Sequence, residues 1–449
     1  MRRSLILIIF SFSLIMTTAL SRQSSADTQT ADSIRTEFLH AWNAYRQYAW
    51  GHDALDPLTR HPRDWYGASL CMTPVDAFDT MVLMGLTREA AEAKQLIVDS
   101  LSFDRDMEVQ GFEVTIRLVG GLLSAYQLDG DRRFLALATD LARRLLPLYS
   151  SPTGMPYRFV NLRTGAVRDS INNPAEIGTS LLEFGLLSRL TGDSAYAQRA
   201  KRAVTELFRR RSSIGLVGTT IDVTTGQWVD RSSHIGGMID SYYEYLLKAA
   251  ILLKDEECRH MWEQSNAAIE RYVADTSTGS LWYGVVDMES GNRLRTVFGS
   301  LEAFFPAVLC LGGDTARAAQ LESSCLRMWN VYGIEPEEFD YTRMTALSPQ
   351  YYLRPEIIES AYYLFRFTGD ERYRDMGRIF FDGIRRYCRT GAGYAMLKSV
   401  ITKEQGDRME SFFFAETLKY LYLLFADPQT LPFDQVVFNT EAHPFRRTP

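Results

Sequence analysis

Apolar residues along this chain recur at helical spacing, and the recurrence is itself repeated. A short polar or acidic lead precedes an apolar helix in TPVDAFDTMVLMGL from Thr73, FEVTIRLVGGLLSAY from Phe112, AEIGTSLLEFGLLSRL from Ala175 and MIDSYYEYLLKAAILL from Met238. GSLEAFFPAVLCL from Gly299, RPEIIESAYYLFRF from Arg354 and AETLKYLYLLF from Ala415 bring the series to seven. Several end in one kind of stop: Asp129-Gly130-Asp131, Thr191-Gly192-Asp193, Gly312-Gly313-Asp314 and Thr368-Gly369-Asp370. More polar, amphipathic helices are predicted between them, at 132–149, 194–211 and 255–274, with an aromatic-rich first one at 33–48.

One anchor from each repeat, Asp76, Glu113, Glu176, Asp240, Ser300, Glu356 and Glu416, gives gaps of 37, 63, 64, 60, 56 and 60 residues. About sixty residues suits a helical hairpin with a loop. Such units bury their faces only by stacking on neighbours. The simplest architecture is an all-α inner ring of seven apolar helices inside an outer amphipathic ring. If that array closes, the acidic leads converge at one end. Strand-like runs at 157–167, 281–293 and 436–444 read as hairpins and loops at the mouth or axis. No low-complexity linker interrupts the chain, so residues 27–449 are expected to form one domain.

The densest chemistry lies in LRPEIIES, Leu353–Ser360. Pro355 suits the first helical position. Glu356 and Glu359, three apart, share one side of the helix, and Ile358, Ala361, Tyr362 and Phe365 form its buried stripe. Acids in a first turn also favour the helix dipole, and that plain reading is the commoner one for a single motif.

Composition narrows the function. Net charge is −6, from 49 basic and 55 acidic residues, and no dense basic run occurs, which excludes nucleic acid as the main partner. Aromatics reach 12%, useful in sugar-binding clefts though more often spent in cores. Met1-Arg2-Arg3 followed by an apolar run from Leu5 to Met16 reads as a secretory signal over residues 1–26, with an uncleaved anchor as the alternative. No stable membrane span is expected after cleavage. No Asn-x-Ser/Thr sequon occurs, which fits a secreted or periplasmic bacterial-type protein better than one of the ER lumen. The five cysteines show no metal spacing, and five is odd, so no disulfide framework is assigned.

FEVTIRLVGGLLSAY, DSYYEYLLK, LRPEIIES, MESFFFAETLKYLYLLF and VFNTEAHP, in this order from about Phe38 to Pro444, together resemble glycoside hydrolase family 47. These are inverting, calcium-dependent α-1,2-mannosidases with an (α/α)7 barrel. The resemblance implies Glu113 as general acid, Asp240 beside it as alternative acid or positioning group, and Glu356 as general base. Inverting enzymes hold acid and base about 6.5–9.5 Å apart, leaving room for water. It further implies Thr440 as the direct Ca²⁺ ligand, with Glu356, Glu359, Glu416 and Glu441 holding the ion's waters. Hard-cation chemistry suits such oxygens. Phe412, Arg354, Arg117, Glu176, Glu416 and Glu441 are expected to contact a mannoside or mannose-containing oligosaccharide. A monomer is expected.

By themselves the residues allow plainer roles. Glu113 with Arg117 at i+4 makes a helix ion pair, Asp240 can cap SYYEYLL, Phe412 can be core, and Arg354 can pair with a nearby acid. Three departures from the family stand out: Met238 where many N-glycan-trimming members carry arginine, Ser300 where they carry histidine, and Ala303 where they carry cysteine. These features resemble the branch containing the ER degradation-enhancing mannosidase-like proteins, and they favour a smaller α-mannoside as strongly as an N-glycan. A catalytically weak mannoside-binding barrel is the second reading. An epimerase or lyase on a helical toroid ranks last, since only six histidines occur.

Overall fold

The computed structural model describes residues 26–447. The expected signal segment, apart from Ala26, lies outside the described residues. Fourteen barrel helices follow among those described. They are α1 (residues 26–48), α2 (Met72–Leu83), α3 (Thr87–Ser100), α4 (Gly111–Val114, continuing to Gly120–Asp129) and α5 (Arg132–Leu145). Next are α6 (Pro174–Gly178, then Leu181–Thr191), α7 (Ala195–Arg209), α8 (Asp240–Leu252) and α9 (Glu256–Ala268). The last are α10 (Leu301–Phe304 into Phe305–Leu311), α11 (Thr315–Tyr332), α12 (Glu356–Thr368), α13 (Arg372–Cys388) and α14 (Phe413–Thr417 into Leu418–Phe425).

Helices α2, α4, α6, α8, α10, α12 and α14 form the inner ring, each packed on the next and α14 on α2. The fold is an (α/α)7 barrel. Inner helices are buried almost all round, as in α8, where Ser241 to Ala250 are all buried. The outer helices bury one face only: α7 buries Tyr196, Ala200, Ala203, Val204 and Leu207 and leaves the rest to water. Helix α1 closes the ring on α14, where Phe38 and Trp42 pack edge-on to Phe414 at 5.2 and 5.9 Å.

The repeated stop has a physical reason. Gly130, Gly192 and Gly369 end inner helices in the left-handed region, φ 85°, 80° and 67°. The aspartate that follows then accepts backbone N–H groups at the start of the outer helix, as Asp131 does from Arg133 and Asp314 from Arg317. Each stop is therefore a tight turn from inner to outer helix. Pro355 is shifted from its expected place: it is the N-cap of α12, so Glu356 itself takes the first helical position.

Short antiparallel strands precede the inner helices, including Phe159–Asn161 and Val285–Asp287, and build up the end that carries the acidic leads. The last hairpin differs. Val436–Phe438 pairs with Pro444–Arg446 in the register Val436↔Arg446. Its base lies by the helix C-termini, where Gln127 accepts from the Arg446 N–H, and its tip at Thr440 reaches Tyr245 along the axis. Gly120 makes room for it: a Cβ there would meet Asn439 Nδ2 at 2.5 Å.

Candidate active site

The inner-helix N-termini and the axial tip enclose a pocket of about 270 Å³. All eleven residues singled out in the sequence line it, namely Glu113, Arg117, Glu176, Asp240, Arg354 and Glu356 together with Glu359, Phe412, Glu416, Thr440 and Glu441. Two of the seven anchors do not. Asp76 is wholly buried beneath it, 3.3 Å from His443 and 3.5 Å from Arg117. Ser300 is also wholly buried, and its helix offers Leu301 and Phe304 to the pocket instead.

Two inner helices widen into single π-helical turns at the pocket, Thr115–Val119 carrying Arg117 and Phe413–Thr417 carrying Glu416. Such turns add a residue locally and re-aim the side chains around them. Arg117 Nε donates to Glu113 Oε2 at 2.9 Å, and its Nη1 donates to Glu441. The helix ion pair allowed by the sequence is thus real, and it also orients Glu113 at the pocket wall. Arg354 donates to Glu337 at 2.8 Å and faces Phe412, whose ring centre is 5.7 Å away. Arg117 lies over the same ring at 5.7 Å and over Trp65 at 5.1 Å. Glu176 is held by Arg158, Gln110 and Asn173. Asp240 does not cap its helix as an N-cap: it is the first helical residue, accepting from its neighbour Ser241 N–H at 2.8 Å.

Eight carboxyl groups and two guanidiniums line the pocket among the described residues. Burial raises the Asp240 carboxyl to about 7. Burial, only partly offset by Arg354 and reinforced by Glu337 and Glu359, raises Glu356 to about 8. Burial and repulsion from Glu441 and Glu356 push Glu416 well above the usual range. Glu356 Oε2 is buried without a hydrogen-bond partner among the described residues. Crowded, under-neutralised acids with an orphaned oxygen fit a cation between them. No group of three or more His, Cys, Asp or Glu side chains is arranged to ligate a metal directly among the described residues. A cation here would therefore rest on Thr440, whose hydroxyl and carbonyl have no protein partner among the described residues, and meet the carboxylates through water.

The tip is held from below. Asn439 donates to Ile116 O and Glu183 Oε1, both at 2.9 Å, and accepts from the N–H groups of Glu441 and His443. His443 Nδ1 lies 2.7 Å from Asp79, and Lys419 lies 2.7 Å from the same carboxylate while donating to Ala442 O. All three ionisable groups are sealed from water. Despite burial, Asp79 stays ionised, lowered to about 2 by Lys419 and His443.

The sequence profile described as glycosyl hydrolase family 47 matches residues 37–447. The chain belongs to glycosyl hydrolase family 47. This family 47 chain is 37% identical, over 94% of its length, to 80% of a mannosyl-oligosaccharide 1,2-alpha-mannosidase of Arabidopsis thaliana. It is 38% identical, over 92% of its length, to 77% of the human ER degradation-enhancing alpha-mannosidase-like protein 2. Near-equal identities to both leave the branch suggested by Met238, Ser300 and Ala303 undivided. The alpha-1,2-mannosidase from Trichoderma reesei superposes with a TM-score of 0.88 at 29% identity, covering 94% of this chain and 99% of that one. A cellobiose 2-epimerase from Bacillus thermoamylovorans shares the fold alone, at TM-score 0.55 and 12% identity.

Sequence reasoning missed several participants of the family 47 pocket. Glu244 lines it and pairs with buried Lys248, which also lies 3.8 Å from Glu359. Both sit in the quoted run DSYYEYLLK, four apart, so helical spacing from Asp240 offered a signal for Glu244. Glu337, which holds Arg354, lies in an irregular stretch where spacing says nothing.

Proposed function

We propose that this glycoside hydrolase removes terminal α-1,2-linked mannose from the non-reducing end of a mannose-containing oligosaccharide, with inversion and with Ca²⁺ bound at the mannose site. The observation that carries the reading is the convergence of Glu113, Asp240 and Glu356 with Thr440 in one pocket sized for a single sugar ring. Relatives named as α-1,2-mannosidases support the linkage. Glu113, steered by Arg117, donates the proton to the leaving oxygen. Glu356 takes the proton of the attacking water. Asp240, raised by burial to about 7 and so still partly protonated near neutrality, supports Glu113 or relays its proton. Phe412 packs on the sugar face, and Arg354 and Glu176 contact its hydroxyls. Thr440, with Glu356, Glu359, Glu416 and Glu441 acting through water, would hold the calcium, whose charge would help fix the sugar's vicinal hydroxyls and keep Glu356 ionised.

Export into a secretory compartment accompanies this reading. The ER degradation-enhancing names among relatives support the ER lumen. The periplasmic alternative rests on the N-terminal run and the missing sequon.

The test is a proton NMR time course of α-1,2-mannobiose with Ca²⁺ and with EDTA. β-Mannose appearing first, and only with Ca²⁺, is the expected result. α-Mannose appearing first, or full activity in EDTA, would overturn the roles given to Glu356 and Thr440. No cleavage with Ca²⁺-dependent binding would favour the mannoside-binding barrel instead.

A further inference from the structure

Asp240 opens α8, and an irregular loop delivers it. Residues 234–239 form bends and turns between the strand Ser232–Ser233 and α8. Met238 sits there in the left-handed region, φ 76°, a conformation that surrounding contacts must hold in place. Gly236 is the loop's centre. Its carbonyl accepts the N–H groups of both Ile239 and Asp240 at 3.0 Å. Its own N–H donates to His234 Nδ1 at 3.2 Å. A Cβ at this position would collide with the Glu302 carboxyl, so only glycine lets the loop lie so close.

One arrangement of His234 satisfies both ring nitrogens. Nδ1 accepts from the Gly236 N–H, so it carries no proton. Nε2 lies 3.2 Å from Thr219 Oγ1. Thr219 spends its hydroxyl proton on Ser232 O at 2.6 Å, which leaves its oxygen free to accept from Nε2–H. The network therefore fixes a neutral imidazole with its proton on Nε2. Thr219 is itself anchored, its N–H donating to Asp230 O at 3.0 Å. The surroundings keep the ring neutral: burial and the Arg295 guanidinium lower its pKa to about 4, against the pull of Asp230. A proton on Nδ1 would set two donors face to face and release Gly236.

We infer that His234 is a positioning residue for the proton-donating step: its Nδ1 lone pair pins Gly236, and the Gly236 carbonyl pins the Asp240 N–H, which fixes the Asp240 carboxyl in the pocket. His234 is not among the residues that line the pocket, so it acts through Asp240. The inference rests on the hydrolase reading above, with Asp240 serving proton donation.

The experiment compares His234→Leu, which has no acceptor, with His234→Asn, whose amide oxygen can take the place of Nδ1. Rates are read on α-1,2-mannobiose and on a dinitrophenyl α-mannoside, which departs without a proton. His234→Leu should lower kcat on mannobiose about tenfold with KM little changed, and leave the dinitrophenyl substrate within about twofold of wild type. His234→Asn should match wild type on both. An unimpaired leucine variant overturns the inference. So does an equal loss on both substrates, which marks general damage to the pocket, and so does an asparagine variant as poor as leucine. Should leucine prevent folding, His234→Gln, whose amide matches Nε2 and not Nδ1, replaces it under the same criteria. Hydrogen exchange reads the latch without turnover: the Gly236 and Asp240 amides should exchange about tenfold faster in His234→Leu and at the wild-type rate in His234→Asn. Unchanged exchange in His234→Leu overturns the latch. If the wild type cleaves neither substrate, the hydrolase reading falls, and the exchange rates still decide the latch.

Discussion

At the scale of single residues, the pocket separates groups that share a charge but not a task. Glu113 is tied to a guanidinium at the pocket wall, and Glu356 sits deeper among acids with one oxygen unpartnered. Proton transfer contributes about 10²–10⁴-fold to such reactions. Glu113→Gln and Glu356→Gln should each lower kcat on mannobiose by about that factor. A dinitrophenyl α-mannoside, whose leaving group needs no proton, should restore much of the rate to Glu113→Gln and none to Glu356→Gln. Rescue of Asp240→Asn in place of Glu113→Gln would exchange the two acids' roles. Sequence alone reached these residues because acids open nearly every repeat. The repeat by itself could not tell Asp76 from Glu113, since both lead apolar helices; the family resemblance alone singled out Glu113. Only the packing of His443 beneath the pocket sends Asp76 out of it.

At the scale of elements, the axial hairpin depends on a charge buried far from water. Lys419 and His443 both neutralise Asp79, and removing one partner of a buried pair leaves the other charge uncompensated. Lys419→Met should therefore cost about 3–5 kcal/mol in urea denaturation. Gly120→Ala should act differently. Its new methyl pushes on Asn439, displacing Thr440 while the ring itself stays folded, so Ca²⁺ affinity and kcat should fall together. The helices were legible because apolar periodicity and the Gly-Asp stops are local. The hairpin's depth was not, because VFNTEAHP carries no periodicity that says where its ends rest.

At the scale of the whole molecule, acids pushed upward by burial set the response to pH. Asp240 and Glu356 at about 7 and 8, and Glu183 and Glu302 both at about 7, bind protons more tightly folded than unfolded. Such groups favour the folded state below about pH 4 and lose that advantage as pH rises through 7 to 8. His443, raised to about 9 by Asp79 and Asp76 against the effect of burial, adds the same slope between about 6.5 and 9. In EDTA, Tm should fall from pH 5 to pH 8, and Ca²⁺ should flatten that fall by supplying the missing countercharge. A flat profile in EDTA would contradict the crowded-acid picture. All five cysteines are buried and unpaired among the described residues, so dithiothreitol should leave Tm unchanged.

The axial hairpin also dictates a timetable. Residues 436–446 follow all fourteen helices in chain order. On the ribosome, each helical pair can dock as it emerges, yet Thr440 arrives only after all fourteen helices have been made. Until then the ring's axis is hollow and its acids face water without their floor. The first helix waits almost as long, since Phe38 and Trp42 have no Phe414 to cover them until the last inner helix is made. Nascent chains should therefore show exposed aromatic surface until the last inner helix has emerged, with activity appearing in a single step once residues 436–446 follow it.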